Sequence, residues 1–462
     1  MSGHSDVSGE WPARPLEPGR DPQLNVHSFG CLPDNATDNR GAIARALAAC
    51  KKAGGCTLTF PGPGIYVSGP IRLVSNLTLV IAAGATLHGA RSKDGWPVLP
   101  YAEWPSLPNG VDPPGGGQLG PYVEPNGSYV GWVRGYNVTD VTLTGGGTLD
   151  GGGELWRKGA STDHKSGPER PYMLHFEGMQ RVHLTNLRVQ NSGFWTIHFQ
   201  YSSDIVVERL SVYNPAGGNA DGIDIDSSQR ALVRESSWDV GDDMLCVKAG
   251  KNWAAWGPTN RSRATEMPVA HVPAQHILFI DNECRAGGGI TIGSEGSGGV
   301  HNVTFENIFY NSSASEAGAA RRGPSGPDMK SQRGMGSSVT DIRFKNIWGG
   351  TADCGASITM CHHNWAVGTL PTPRWANISF ADIDLEVKTF GGFVGLPESP
   401  IDGLFFENVT FRLAESEEEA SSNTHPQKGS WDCSACFGRL HASGTADGLS
   451  PPLTGNCALP PA

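Results

Sequence analysis

The chain has 462 residues, of which 62 are glycine and 33 are proline, while only 18% are charged. This composition favours short strands joined by many tight turns over a helical protein. The formal net charge of −11 argues against nucleic acid or an anionic membrane surface as a partner. No apolar run approaches the roughly 18 residues that a membrane-spanning helix needs, so we expect no membrane association.

The cysteines and glycosylation sequons indicate an oxidising compartment. Ten cysteines are scattered along the chain, and only Cys433 and Cys436 have a spacing that zinc sites use. A zinc site needs a second such pair, so disulfides are the better interpretation and we expect neither a metal nor another cofactor. Nine Asn-x-Ser/Thr sequons also favour a secreted glycoprotein. The opening residues lack the pattern of a signal peptide, so we expect a secreted or extracellular protein whose signal is not present in this chain.

The predicted elements begin with a flexible arm and a helix. Residues 1–23 are polar and rich in proline, which is typical of a disordered segment. Asp38 and Asn39 then precede residues 40–53, in which small and apolar side chains repeat on one face. Asp and Asn are favoured helix caps, so the sequence predicts a short helix over residues 40–53.

A repeated phrase dominates the rest of the chain. Short runs of β-branched and aromatic residues end in Asn or Gly, and copies begin at Val182, Ile205, Ile277, Val303, Ile342, Ile378 and Leu404. The first two copies are 23 residues apart, and 26 residues separate Ile277 from Val303 and Ile378 from Leu404. A period in the twenties with strands and no helices predicts the stacked coils of a β-solenoid.

The solenoid prediction fixes the domain organisation. We expect one right-handed parallel β-helix over residues 24–413, with the short N-terminal helix capping its first coil. A β-sandwich is the alternative, but it predicts hairpins of alternating strands rather than one recurring phrase. Residues 414–462 begin with several glutamates and contain three cysteines, and we expect them to form a separate, loosely attached tail.

Three aspartates are candidates for catalysis. Asp242 lies 21 residues after Asp221, which is about one coil, so both are expected on the same wall of the solenoid. Asp243 joins them if the backbone bends at Gly241. Because crowded carboxylates repel, one of them should keep its proton near neutral pH. The cluster then supplies both an acid and a base, which is the minimum for hydrolysing a glycosidic bond.

The other acids of this stretch have a plainer interpretation. Asp224, Asp226 and Asp239 are interpreted as residues that fill tight turns and cap strands. Calcium binding is a rival to catalysis for the whole cluster, because clustered acids on a β-helix also bind hard cations.

Four motifs follow one another along the chain. They are NADGIDI from Asn219, GDDMLCVKAG from Gly241, GGGITIGSEG from Gly287 and DMK from Asp328. In this order they resemble the N-T-D-G, D-D-C-x-A-x-K-S-G, G-H-G and R-I-K motifs of glycoside hydrolase family 28, the polygalacturonases and their relatives. With the opening FGCLPDNATDN, the resemblance spans roughly residues 25–412.

The resemblance implies a role for each matching residue. Asp242 would be the general acid that protonates the leaving oxygen, while Asp221 and Asp243 would share the attacking water and act as base. The family cleaves with inversion, in one displacement by water. Lys330 matches the family's lysine and would bind a substrate carboxylate, which supplies local positive charge in an acidic protein.

Two positions depart from the family pattern. Gly288 replaces the histidine of G-H-G, and Asp328 replaces the arginine of R-I-K, so one anion-binding contact is missing. Arg333, three residues beyond Lys330, is a candidate to take over that contact, although an exposed turn arginine is as good an interpretation. The segment CHHNW stands near the family's late tyrosine, and there His363 is a candidate for lining the sugar subsites or a residue of a solvent loop.

The leading prediction is a monomeric hydrolase of α-linked galacturonate in a pectic, anionic polysaccharide. Loops that leave one side of the solenoid would close the sides of its groove, which favours attack at the ends of the polysaccharide chain. Gly288 and Asp328 motivate a second hypothesis, in which the substrate is rhamnogalacturonan or another decorated pectin. A calcium-dependent pectate lyase and a non-catalytic carbohydrate-binding β-helix are the remaining alternatives.

Overall fold

The computed structural model describes most of the chain as stacked parallel strands. The described residues are 22–99, 128–157, 168–250, 272–317, 324–333, 336–362, 372–414, 431, 433 and 442–459. Within these residues, 27 strands join one sheet through parallel pairs. The fold is therefore the predicted right-handed parallel β-helix.

The bounds of the elements follow the chain. The strands are β1 (Gln23–Asn25), β2 (Asp34–Asp38), β3 (Cys56–Phe60), β4 (Gly64–Ser68), β5 (Ile71–Arg72), β6 (Leu77–Ile81), β7 (Ala85–Gly89), β8 (Val98–Leu99), β9 (Ser128–Tyr129), β10 (Val133–Tyr136), β11 (Thr139–Thr144), β12 (Thr148–Asp150), β13 (Leu174–Glu177), β14 (Gln180–Gln190), β15 (Ile197–Gln200), β16 (Ser203–Asn214), β17 (Ile223–Asp226), β18 (Gln229–Arg234), β19 (Ser237–Val240), β20 (Leu245–Lys248), β21 (Ala274–Ala286), β22 (Ile290–Gly293), β23 (Val300–Asn311), β24 (Pro327–Lys330), β25 (Ser338–Thr359), β26 (Arg374–Val394), β27 (Ile401–Leu413), β28 (Ala442–Thr445) and β29 (Leu449–Ser450). The helices are α1 (Arg40–Ala53) and α2 (Glu154–Arg157), with short 3₁₀ turns at Val26–Phe29, Ser312–Ala314 and Gly455–Cys457.

The strands stack into three faces of the solenoid. The site face contains β5, β10, β13, β15, β17, β20, β22 and β24 in register. The back face contains β3, β6, β11, β18 and the first halves of the long strands β14, β16 and β21. The flank face contains β4, β7, β12, β19 and the second halves of the same long strands.

The repeated phrases found in the sequence lie directly above one another. Ile277 pairs with Val303, Val303 with Ile342, Ile342 with Ile378, and Ile378 with Leu404. The phenylalanine two residues further on in each of these phrases forms an aromatic stack inside the solenoid, with neighbouring ring centroids 4.7, 5.2, 5.1 and 5.0 Å apart. Each coil therefore buries its apolar side chains against the next coil, and the solenoid has one continuous core.

The polar residue inside each phrase makes a corner between the back and flank faces. Asn307, Asn346 and Asn408 have φ of 55°, 50° and 52°, in the left-handed region that Asn tolerates better than most residues. Their side-chain amides also bond between coils: Asn307 Nδ2 donates to Asp281 Oδ1 at 3.0 Å, and Asn346 Nδ2 donates to Asn307 Oδ1 at 2.7 Å. The asparagines that recur in the sequence thus bend each coil and link it to the next.

Helix α1 has the predicted bounds and covers the first coil. The carboxylate of Asp38 accepts a hydrogen bond from the backbone of Arg40 at 2.9 Å, whereas the side chain of Asn39 bonds Leu32 instead of capping the helix. Its buried face packs onto the core through residues such as Leu47. No helix in the part of the chain that the structure describes is long and apolar enough to cross a membrane.

Described residues of the predicted tail extend the solenoid. Strands β28 and β29 pair in parallel with β27, and a disulfide joins Cys433 to Cys457. A second disulfide joins Cys50 at the end of α1 to Cys56 in β3, and Cys361 is also disulfide-bonded. The predicted disulfides are therefore confirmed. The described segments 431, 433 and 442–459 are attached to the last coils more closely than the sequence suggested.

Candidate active site

Two adjacent coils bring the three candidate catalytic aspartates together. Asp221 directly precedes Gly222 and β17, and the pair Asp242–Asp243 precedes β20 in the next coil. The backbone N–H of Gly222 donates to the carbonyl of Asp243 at 2.8 Å, which places the two loops side by side. One carboxylate oxygen from each aspartate lies within 4.8 Å of the others. The spacing of one coil that the sequence indicated is what aligns them.

Backbone groups hold Asp242 in place. Its Oδ2 accepts a hydrogen bond from the backbone N–H of Asn219 at 3.0 Å, and its Oδ1 accepts one from the N–H of Asp243 at 3.0 Å. Burial, followed by the negative charge of Asp243, raises the pKa of the Asp242 carboxyl. Asp242 is therefore a fixed carboxyl group that tends to keep a proton.

Asp243 has the opposite electrostatic character. Lys330 Nζ donates to Asp243 Oδ1 at 2.8 Å, and Lys248 Nζ lies 3.8 Å from Asp243 Oδ2. Burial alone raises the pKa of Asp243, but the ammonium groups of Lys330 and Lys248 outweigh burial and hold it below the usual range. Burial and then the charges of Asp224 and Asp242 raise the pKa of Asp221 well above its usual range. The cluster thus holds adjacent carboxyl groups whose pKa values are shifted in opposite directions.

Lys248 is a functional candidate that the sequence analysis missed. Its ammonium lies beside four carboxylates, with Nζ 3.9 Å from Asp221, 3.5 Å from Asp224, 3.8 Å from Asp243 and 3.3 Å from Glu295. It also donates to the carbonyl of Gly293 at 3.2 Å, and it lies 4.8 Å above the ring of Trp195. The side chain is 4% exposed, so it neutralises charge inside the protein. The sequence did contain a signal, because a lysine in an otherwise apolar strand, LCVK, is expected to be buried and to need a carboxylate partner.

Asp224 is not the turn residue that the sequence suggested. It lies in the middle of β17, and its side chain faces the cluster rather than a turn. Burial raises the pKa of Asp224 to about 8. Asp226 and Asp239, by contrast, accept hydrogen bonds from backbone N–H groups, those of Gly250 at 2.8 Å and Glu316 at 2.6 Å, and so do hold the chain together.

The predicted substrate-binding residues have different surroundings. Lys330 lies in the site, between Asp243 and the carboxylate of Asp328, whose Oδ2 is 3.5 Å from Nζ. Burial raises the pKa of Asp328 to about 6. Arg333 forms an ion pair with Glu398, and its side chain is 17% exposed. His363 lies outside the described residues, so its predicted role stays a prediction.

Gly288 lies against the two adjacent aspartates. Its backbone N–H donates to the carbonyl of Asp242 at 2.6 Å. A Cβ atom at this position would lie 2.8 Å from Asp243 Oδ1 and 3.0 Å from the backbone nitrogen of Asp243. The backbone itself therefore fills the space beside Asp243, and no side chain fits there without a shift of the cluster.

The same carboxylates could offer oxygen ligands to a cation. The three aspartates have the required spacing, which is the basis of the calcium hypothesis. However, the ammonium groups of Lys330 and Lys248 already face Asp243, and a divalent ion between the carboxylates would be repelled by both. The residues present therefore fit a cluster neutralised by lysine better than a cation site.

Trp195 belongs to a small buried aromatic cluster beside the site. Its ring packs against Tyr172 and Phe194, and all three side chains are at most 5% exposed. Trp195 is therefore a packing residue rather than an exposed platform for sugar.

Comparisons with known proteins agree with the motifs. The model of Glycosyl hydrolases family 28 matches residues 116–429. A probable polygalacturonase of Vitis vinifera is 28% identical over 403 residues, covering 84% of this chain and 73% of the relative. An endo-polygalacturonase of Pectobacterium parmentieri is 23% identical and covers 77% of this chain and 80% of its own length. Among solved structures, a hyperthermoactive exopolygalacturonase from Thermotoga maritima superposes with a TM-score of 0.67 at 22% identity, over 87% of this chain and 90% of that one. The structural likeness is one of fold.

Proposed function

Because the chain belongs to family 28 of the glycosyl hydrolases, we propose that it hydrolyses α-linked galacturonate in a pectic polysaccharide. The observation that carries this proposal is the close cluster of Asp221, Asp242 and Asp243, in which the pKa of Asp242 is raised while that of its neighbour Asp243 is lowered. The names of the relatives support the choice of substrate. Membership of the family makes the chain a glycosyl hydrolase, as the sequence motifs predicted.

Each aspartate has a role in this proposal. Asp242 gives its proton to the glycosidic oxygen as the bond to the anomeric carbon breaks. A water molecule attacks the same carbon and passes its proton to Asp243, which the lysines keep ionised. Asp221 holds that water from the adjacent coil. One displacement leaves the product with inverted configuration.

The carboxylates lie closer together than is usual for an inverting enzyme. Inverting enzymes usually hold their two carboxyl groups roughly 6.5–9.5 Å apart, and retaining ones roughly 5–5.5 Å apart. Here the nearest oxygens of the three aspartates lie within 4.8 Å. Inversion is nevertheless proposed here, because the three aspartates match the family's catalytic motifs and Lys330 and Lys248 hold Asp243 as an ionised base. The anomer first released, followed by NMR, distinguishes a base acting through water from a covalent intermediate.

Asp328 favours a second candidate substrate. A buried carboxyl stands next to Lys330, at the position where the resemblance has an arginine. Once ionised, Asp328 repels a substrate carboxylate and competes with it for Lys330. The subsite beside Asp328 is therefore suited to a neutral or esterified sugar, as in rhamnogalacturonan or another decorated pectin.

An extracellular site of action is part of the proposal. The disulfides Cys50–Cys56 and Cys433–Cys457 support it, because structural disulfides persist in oxidising compartments. The monomeric state stays a prediction.

The test is digestion of purified galacturonan by the wild-type protein and by Asp242→Asn. We expect reducing ends to appear without ultraviolet absorbance, and the variant to be slower by about 10²–10⁴, the usual contribution of a general acid. Asp239→Asn is the matched control, because Asp239 comes from the same stretch but bonds Ser315 and Glu316 on the flank face.

Other outcomes would replace the proposal. Products that absorb in the ultraviolet would identify a lyase. Release of sugar from rhamnogalacturonan but not from galacturonan would favour the second candidate. Turnover that is equal in the wild type and Asp242→Asn would remove Asp242 from the mechanism. Product length in the same digest distinguishes attack at chain ends from internal cuts.

A further inference from the structure

A groove lies on the flank face, away from the catalytic aspartates. One outward row of side chains runs along its floor in consecutive coils: Arg188, Ser211, Ser237, Glu283, Phe309 and Trp348. The groove has a volume of about 890 Å³. Five steps between coils, at roughly 4.8 Å each, make it on the order of 24 Å long, which suits an extended chain molecule.

An aromatic shelf forms one end of this flank groove. Phe309 and Trp348 are 36% and 40% exposed, although most large apolar side chains of the described residues are buried. Their rings stack with centroids 5.7 Å apart and an interplanar angle of 26°. A flat, exposed aromatic surface beside polar groups offers a stacking platform to the C–H face of a sugar ring.

Most of the charges around the flank groove are balanced in pairs, whereas the carboxylate of Asp281, which also lines the groove, accepts a hydrogen bond from Asn307 Nδ2 at 3.0 Å. Arg188 Nη2 lies 2.9 Å from Glu316, Arg285 Nη2 lies 2.9 Å from Glu283, and Arg209 Nη1 lies 3.3 Å from Glu235. Each pair presents donors and acceptors at the rim but carries no net charge. Such a rim suits a ligand with many hydroxyl groups and no charge, and it gives a polyanion no electrostatic advantage.

We propose that the flank groove binds a neutral oligosaccharide chain, stacked on Phe309 and Trp348 and hydrogen-bonded along the row of serines and paired arginines. A protein partner fits less well, because two exposed aromatic rings are far smaller than the core of a standard protein interface. The groove and the catalytic cluster lie on different faces of the solenoid, so a chain bound here leaves the cluster open. The inference goes beyond the proposed hydrolysis and does not depend on it.

The experiment measures binding rather than turnover. The full chain is titrated with a neutral galactan-derived tetrasaccharide and, separately, with a galacturonate oligomer of the same length, using NMR or calorimetry. We expect the neutral oligomer to bind and Trp348→Ala to weaken its binding about tenfold or more, since a tenfold loss corresponds to about 1.4 kcal/mol. Phe405→Ala is the matched control, because Phe405 is 41% exposed on the back face, outside the flank groove.

The binding results for the two variants support or overturn sugar binding in the flank groove. Loss of neutral-sugar binding in Trp348→Ala, with wild-type binding in Phe405→Ala and equal thermal unfolding of both variants, supports the proposal. Binding that Trp348→Ala leaves unchanged overturns it, as does binding of the galacturonate oligomer with equal strength at the same residues. A concentration-dependent dimer that Trp348→Ala abolishes would assign the shelf to a second copy of the chain instead. Activity on galacturonan is expected to be unchanged by Trp348→Ala, so failure of this inference is separable from failure of the hydrolase proposal.

Discussion

On the back face, carboxylates and guanidinium groups of neighbouring coils form matched pairs. Arg181 bonds Asp140 at 2.6 and 2.8 Å, and Arg230 bonds Asp204 at 2.7 and 2.8 Å. The hydrogen bonds from Arg230 hold the pKa of Asp204 below its usual range. These acids are partnered and partly exposed, and they link one coil to the next.

On the site face, carboxyl groups outnumber cations in the part of the chain that the structure describes. Six acids surround two lysines, and these residues are Asp221, Asp224, Asp242, Asp243, Glu295, Asp328, Lys248 and Lys330. Burial raises the pKa of several of these acids, in contrast to Asp204. The same residue types thus stabilise the solenoid where they are paired, and hold protons for chemistry where they are crowded and buried.

The largest difference between the two faces should appear when Lys248, which lies among the carboxylates of the site face, is replaced. Lys248→Met leaves the surrounding carboxylates without their shared cation, so we expect a loss of about 3–5 kcal/mol in the free energy of unfolding. Since Lys248 lowers the pKa of both Asp221 and Asp243, the acid limb of the pH–activity profile should also move to higher pH. Urea unfolding and the pH dependence of kcat/KM measure the two effects.

The matched control for Lys248→Met is Arg230→Met on the back face. This pair with Asp204 is partly exposed, with side-chain exposures of 36% and 22%, so its removal should cost about 1 kcal/mol or less. Equal losses from the two variants would contradict the distinction between the faces.

The fold was predictable because its signal is local and repeated. One phrase recurs at the period of a coil, so Ile277, Val303, Ile342, Ile378 and Leu404 could be aligned before their pairing was known. Helix α1 was predictable for the same reason, since its apolar face and its capping residue Asp38 are contiguous in the chain. The role of the corner asparagines required the backbone angles.

The candidate site was predictable only in part. The 21-residue spacing placed Asp221 beside Asp242, because one coil separates them. The surroundings of Lys248 were not predictable, because its partners come from several coils and their separation in sequence follows loop lengths rather than the period. The interpretation of Asp224 as a turn residue was wrong for a related reason. Nothing in the sequence shows that Asp224 lies in a strand beside Lys248, and an aspartate between short strands is usually a turn residue. The pairing of Lys330 with Asp243 likewise depends on coils 87 residues apart.

The pH dependence of stability should have opposite signs on the two faces. The carboxyl of Asp328 ionises near pH 4 in the unfolded chain but at about 6 in the folded protein. Between these values the unfolded chain releases the proton first, so rising pH destabilises the wild type by up to about 3 kcal/mol. Asp328→Asn should lack this loss. Unfolding free energies of both proteins are measured at pH 4, 5, 6 and 7. The stability of Asp328→Asn relative to the wild type should increase up to about pH 6 and then stay constant.

Asp204→Asn provides the control of opposite sign. The pKa of Asp204 is lowered in the folded protein, so its contribution is present above pH 4 and is lost as pH falls through the folded value. The variant should therefore be less stable than the wild type at neutral pH and equal to it in strong acid. A difference of the same sign for both variants would contradict the assignment of the two environments.

The smallest effect should come from one added methyl group beside the cluster. In Gly288→Ala the new Cβ lies 2.8 Å from Asp243 Oδ1, which Lys330 holds in place, so Asp243 must shift. We expect a loss of about 1–2 kcal/mol in unfolding free energy. Because a small displacement of a catalytic group slows the reaction, kcat should fall about tenfold with little change in KM. Gly218→Ala is the matched control, because nothing lies within 4 Å of a Cβ atom at Gly218 in the same region. A tolerated Gly288→Ala would mean that Asp243 can move without harm, and the crowding of the site face would then be incidental to its chemistry.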